Sequence, residues 1–149
     1  MRKIRVVDAL DGRAHIRRMS GPIFHRVDGA PDPVAPFSHA VEAAGWVFLT
    51  GQMPFVGIAN DSAYPESVED QTHQVMKNLI TVLRGCRLTL NDVVAVRVYL
   101  RHFDDDYVRM NAVYATYFAP ERFPARTCIG VTDLARGARV EIDMVARRP

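Results

Sequence analysis

Two hydrophobic spacings take turns along this chain. Over residues 139–146 the apolar Val140, Ile142 and Met144 alternate with Glu141 and Asp143, the two-residue period of a strand with one buried face. After Ser67 the apolar residues Val68, Val75, Met76, Leu79, Ile80 and Leu83, with Thr72 between them, fall three or four apart. That spacing predicts a helix with one apolar stripe. Ser67 is a natural N-cap with Asp70 three residues on, close to a capping box, and Gly85 is the predicted stop. Tyr107, Met110, Tyr114, Tyr117 and Phe118 repeat the helical spacing. Asp104, Asp105 and Asp106 there supply negative charge at a helix N-terminus, and Pro120 ends the segment.

The remaining pattern predicts strands over 22–27, 38–44, 46–50, 93–100 and 124–131, besides 139–146. The strands at 38–44 and 46–50 meet in a tight turn at Gly45, and residues 28–36 and 53–66 are irregular connections rich in proline and glycine. The order β-β-β-α-β-α-β-β predicts a single α+β domain: about six strands in one mixed sheet, with both helices on one face. Val47, Leu49, Val93 and Ala95 keep apolar character on both faces of that sheet, so a partner is expected over the second face.

At 149 residues the chain is long enough for one domain. It has no apolar run of membrane-spanning length and no N-terminal signal-like segment, so a cytoplasmic protein with no membrane association is expected. Cys86 and Cys128 do not make a disulfide framework. The net charge of +2 is uneven: residues 1–21 hold six basic and two acidic side chains, leaving −2 on the rest. Residues 1–21 therefore read as a basic extension and 22–149 as the domain proper. A mildly acidic body argues against nucleic acid as a partner.

Several chemistries lack their residues. The five histidines show no ligand spacing with cysteine or with one another, so no metal is expected; His39 reads as a strand histidine. There is no phosphate-binding glycine loop and no serine-hydrolase elbow. Arg126 and Glu141 remain. Arg126 sits among Ala125, Thr127, Cys128 and Ile129 behind the rigid Pro124, and its planar fork suits a carboxylate. Glu141, on its alternating strand, is either a wet-face charge or a fixed catalytic group. Cys128 shares a strand side with Arg126; it is either an activated thiol or a small buried hydrophobe.

Seven segments, in this order, carry a resemblance: Ala35-Pro36-Phe37-Ser38-His39-Ala40-Val41, Leu49-Thr50-Gly51-Gln52-Met53-Pro54, Gln71-Thr72 through Asn78-Leu79, Leu90-Asn91-Asp92-Val93-Val94, Met110-Asn111-Ala112-Val113-Tyr114, Pro124-Ala125-Arg126-Thr127-Cys128 and Val140-Glu141-Ile142. Over roughly residues 23–148 the chain resembles the RidA (YjgF) family of imine and enamine deaminases. The resemblance implies a chorismate-mutase-like, RidA-type fold packed as a homotrimer with a cleft at each subunit boundary. It implies Arg126 and Glu141 as catalytic residues, and Phe37, Thr50, Gly51, Asn111 and Cys128 as substrate-binding. The implied reaction is hydrolysis of a short 2-imino or 2-enamino acid, such as 2-aminoacrylate or 2-iminopropanoate, to a 2-keto acid and ammonia, without a cofactor. Phe37 departs from the family's usual tyrosine and loses a hydroxyl. Two alternatives follow: a non-catalytic or regulatory trimer that binds small carboxylates, or a deaminase for a bulkier substrate of the aminomuconate type.

Overall fold

The computed structural model describes residues 21–59 and 63–149; all but the last residue of the expected basic extension lies outside them. The elements run β1 (Ile23–His25), β2 (Ala40–Ala43), β3 (Trp46–Gln52), α1 (Val68–Gly85), β4 (Val93–Leu100), α2 (Phe103–Ala115), β5 (Ala125–Gly130) and β6 (Val140–Arg147), in the expected order. They form one six-stranded mixed sheet, ordered β1-β2-β3-β6-β4-β5. The β4–β5 pair is parallel and the other pairs are antiparallel. The last strand thus slots between β3 and β4, so β3, β4 and β5 all point one way. Two crossovers of the same hand then lay both helices on one face. There α1 packs on β3, β6 and α2, and α2 packs on α1 and β4.

The register makes the two faces easy to read. His25, Ala40, Leu49, Met144, Val96 and Arg126 lie side by side across all six strands. Ala40, Leu49, Met144 and Val96 in that row are buried with Val75, Met76, Leu79 and Leu83 of α1. One residue over, the row Phe24, Val41, Phe48, Val145, Ala95 and Ala125 spans the same strands on the opposite face. That row is entirely apolar, yet Phe24 is 67% and Phe48 49% exposed, and Trp46 and Ile129 on the same face are exposed too. A groove of about 480 Å³ lies over this face, lined by Phe48, Ala95, Arg97, Thr127 and Val145 among others.

Several local expectations need correction. The first strand is three residues long rather than the expected 22–27. Gly85 does not stop α1; it is the last helical residue, and the left-handed backbone that turns the chain sits at Arg87, with φ 59°. A Cβ on Gly85 would stand 2.4 Å from a methyl of Val27, so the glycine is required by close packing there. The second helix ends at Ala115, and Tyr117 and Phe118 lie in the turn beyond it. The hairpin turn takes positive φ at both Ala44 and Gly45, the twist-matched geometry of a two-residue loop. Ser67 caps α1 as expected: its Oγ accepts from the Asp70 amide at 3.0 Å. Among the described residues no helix is long and apolar enough to cross a membrane.

Candidate active site

Arg126 ends the helix-side row on β5, the sheet's edge strand, so its side chain lies beside α2. Its Nη1 donates to Asn111 Oδ1 at 2.6 Å, and its guanidinium carbon lies 4.8 Å from the centre of the Tyr114 ring. Asn111 and Tyr114 are one helical turn apart, which places both on the same flank of α2. Tyr114 is buried, and its ring packs 5.0 Å from that of Phe118, which in turn approaches Phe123. The Tyr114 hydroxyl is buried with no hydrogen-bond partner among the described residues. Burial pushes this phenol up to about 12, against the pull of Arg126.

Cys128 shares that side. Burial raises its thiol, and the nearby guanidinium offsets this only in part. A protonated thiol is a poor nucleophile, which argues against an activated Cys128 thiol. Arg97, Arg101, Arg109, Arg139 and Arg148 each pair with a carboxylate, and among the described residues none pairs with Arg126.

Glu141 stands on the other face. It lies opposite Tyr99, which lies opposite Ile129. Its carboxylate sits against the backbone of Gly51: a Cβ there would fall 2.1 Å from Glu141 Oε1. The glycine near the end of β3 is therefore required by the acid beside it. Burial raises the Glu141 carboxyl above the ordinary range, and the charge of Asp143 adds to this. Asp143 lies on the same face as Glu141. It is buried, and it accepts from Arg97 Nε at 2.9 and 3.0 Å and from the Tyr99 hydroxyl at 3.1 Å.

Of the other expected residues, Gly51 touches Glu141 and Thr50 is its chain neighbour. Thr50, next to Gly51, donates its hydroxyl to the Ser38 carbonyl at 2.6 Å. This ties β3 to the segment that carries Phe37, whose own carbonyl accepts from Arg26. Tyr64, read as part of an irregular connection, also belongs here. Burial raises its phenol, which Glu141 pushes further and Arg136 opposes. His39 latches the loop: its Nδ1 accepts from the Val27 amide at 2.8 Å, so Nε2 carries the proton given to the Pro31 carbonyl at 2.9 Å.

One chain thus places the expected site residues in two separate groups. Arg126, Asn111, Tyr114 and Cys128 form one; Glu141, Gly51 and Thr50, with Tyr64 nearby, form the other. Arg126 aligns with Val96 and Glu141 with Tyr99. The offset is about 10 Å along the strand at roughly 3.3 Å per residue, and the side chains leave opposite faces. Within a single protomer the two expected catalytic groups do not meet.

Residues 27–148 match the family described as endoribonuclease L-PSP. A RutC family protein of Pyrococcus horikoshii is 35% identical over 80% of this chain and 92% of its own length. A protein of Dermatophagoides farinae named 2-iminobutanoate/2-iminopropanoate deaminase is 32% identical, over 78% of this chain and 90% of its own. The crystal structure of the yeast protein YEO7 superposes with a TM-score of 0.79 at 31% identity, covering 86% of this chain and 99% of the yeast chain.

Proposed function

This chain belongs to the endoribonuclease L-PSP (RidA) family, and within it we propose a hydrolytic deaminase of short 2-imino and 2-enamino acids that works as a homotrimer. The observation that carries this reading is Arg126. Its guanidinium is held by a neutral amide oxygen and an aromatic ring, and no carboxylate of the described residues neutralises it. A fork so placed is available to a small carboxylate ligand.

In this proposal the exposed apolar row is covered by neighbouring copies. The β5 edge of one copy lies along the open face of the next, and one copy's Arg126 meets another's Glu141. The substrate carboxylate takes two parallel hydrogen bonds from Arg126. Glu141 accepts a proton from water as the oxygen attacks the C=N carbon, and the proton passes on to the nitrogen. The carbinolamine hydroxyl then gives its proton, by way of Glu141, to the nitrogen as the C–N bond breaks, releasing ammonia and the 2-keto acid. The C=N carbon is already electrophilic, so the chemistry calls for positioning and proton transfer rather than a cofactor. A carboxyl raised by burial is well matched to this general-base role. Thr50 and the Gly51 backbone orient the substrate, Asn111 holds Arg126, and Phe37 and Cys128 wall the pocket.

A second reading is a trimer that binds the same carboxylates without turning them over, which the missing hydroxyl at Phe37 favours. An RNA-cleaving role, suggested by the family's description, gains no support from Arg97, Arg101, Arg109, Arg139 and Arg148, which are all tied to acids. Ammonia release from freshly generated 2-aminoacrylate separates deaminase from binder. The deaminase reading expects release well above the spontaneous rate, and release at the spontaneous rate would leave only the binder.

A further inference from the structure

Arg126 has five N–H donors, and the Asn111 bond fixes one nitrogen. About that single bond the fork can still swing. What limits the swing on one side is Tyr114, whose ring centre is 4.8 Å from the guanidinium carbon. That ring is itself immobile: it is 4% exposed, backed by Phe118 at 5.0 Å, and carried on the same helix as Asn111. The hydroxyl, in contrast, has no partner among the described residues. A buried unpartnered hydroxyl costs stability, and it supplies no bond to the arginine.

Building on the deaminase reading, we propose that Tyr114 is a positioning residue for ligand binding. Its ring, not its hydroxyl, holds the plane of Arg126 so that the outer edge of the fork meets a carboxylate. Asn111 sets where the guanidinium sits; Tyr114 sets how it is tilted. The cation–π attraction adds to this hold.

The test uses the full chain with Tyr114→Phe, Tyr114→Leu and Tyr114→Met. The readouts are the Kd for 2-oxobutanoate, the NMR signal of the Arg126 Nε–H and the melting temperature. The Leu and Met variants, which lack the ring, are expected to raise Kd on the order of tenfold and to broaden the Nε–H signal. The Phe variant is expected to rescue both, with Kd within about threefold of wild type, and to melt higher because the unpartnered hydroxyl is gone. Ring-less variants that fold yet keep the wild-type Kd and signal would overturn the proposal. So would a Phe variant that binds as poorly as Leu, because the hydroxyl would then be the working group. If a ring-less variant does not fold, the Phe variant still decides between ring and hydroxyl. Should wild type bind no oxo acid, the deaminase reading fails by itself, while the Nε–H comparison still decides the role of the ring.

Discussion

Two arginines lean on helix α2 and meet different fates. Arg139 reaches the first turn, where Nη2 and Nε contact the two oxygens of Asp106 at 2.6 and 3.0 Å, and that carboxylate is fully buried. Arg126 reaches the third turn and finds an amide oxygen and a tyrosine ring. The first guanidinium is neutralised inside the chain and serves the fold. The second is held in place without being neutralised, which suits a group that receives its counter-charge from a ligand. Arg97, Arg101, Arg109 and Arg148 follow Arg139 in pairing with a carboxylate, so charge compensation, not exposure, separates Arg126 from them.

The comparison is sharpest under truncation. Arg126→Ala should lower deaminase kcat/KM by roughly 10²–10⁴-fold, the loss of two charge-assisted hydrogen bonds at about 1.5–3 kcal/mol each, with little change in Tm. Arg139→Ala should do the reverse. It strands the buried Asp106 and should cost about 3–5 kcal/mol in a denaturant melt, with kcat/KM near wild type in whatever remains folded. Matching losses of stability in both variants would erase the distinction.

Glu141→Gln probes the second group. A lost general base lowers kcat by about 10²–10⁴-fold. The stability sign is opposite to that of a paired acid. The folded carboxyl is raised by burial and then by Asp143, so the native chain holds that proton more tightly than the unfolded one. Its contribution is most favourable below the ordinary carboxylate range and is lost as pH rises through the raised value. At neutral pH the Gln variant should therefore melt higher than wild type. In wild type, kcat/KM should fall with acidification through that raised value, at a higher pH than an ordinary carboxylate sets.

Gly51→Ala is a finer cut. Its Cβ would press into Glu141 Oε1, so activity should drop by about tenfold or more through a displaced base, with ligand affinity at Arg126 largely kept. Equal losses in kcat and affinity would mean that Gly51 contacts the ligand directly. Asn111→Ala should have the smallest effect, about tenfold in Kd for 2-oxobutanoate, because the Tyr114 ring still restrains the fork.

Periodicity exposed the fold because the helices and β6 each show their own repeat clearly. In the structure the β6 residues alternate between faces, and the α1 stripe is buried apart from Ile80, with Val82 added to it. The two groups of site residues were less visible in the sequence for physical reasons. Tyr114 lies on a packing stripe, and nothing in a stripe says that a ring also touches an arginine. The requirement for glycine at 51 arises from a side chain 90 positions later, so no local rule contains it. Asp143 alternates like a solvent-facing charge, yet is buried because Arg97 and Tyr99 lie beside it on β4. Where a residue's role is set by its own neighbours in the chain, the sequence reading holds. Where the role comes from across the sheet, it falls short.

The account stands or falls on what reaches Arg126. A crystal of the full chain soaked with 2-oxobutanoate tests this directly. The predicted result is a carboxylate bonded in parallel to the Arg126 fork, with the Glu141 of a second copy facing the carbonyl carbon. Arg126 paired instead with a protein carboxylate, or the oxo acid seated away from it, would contradict the account.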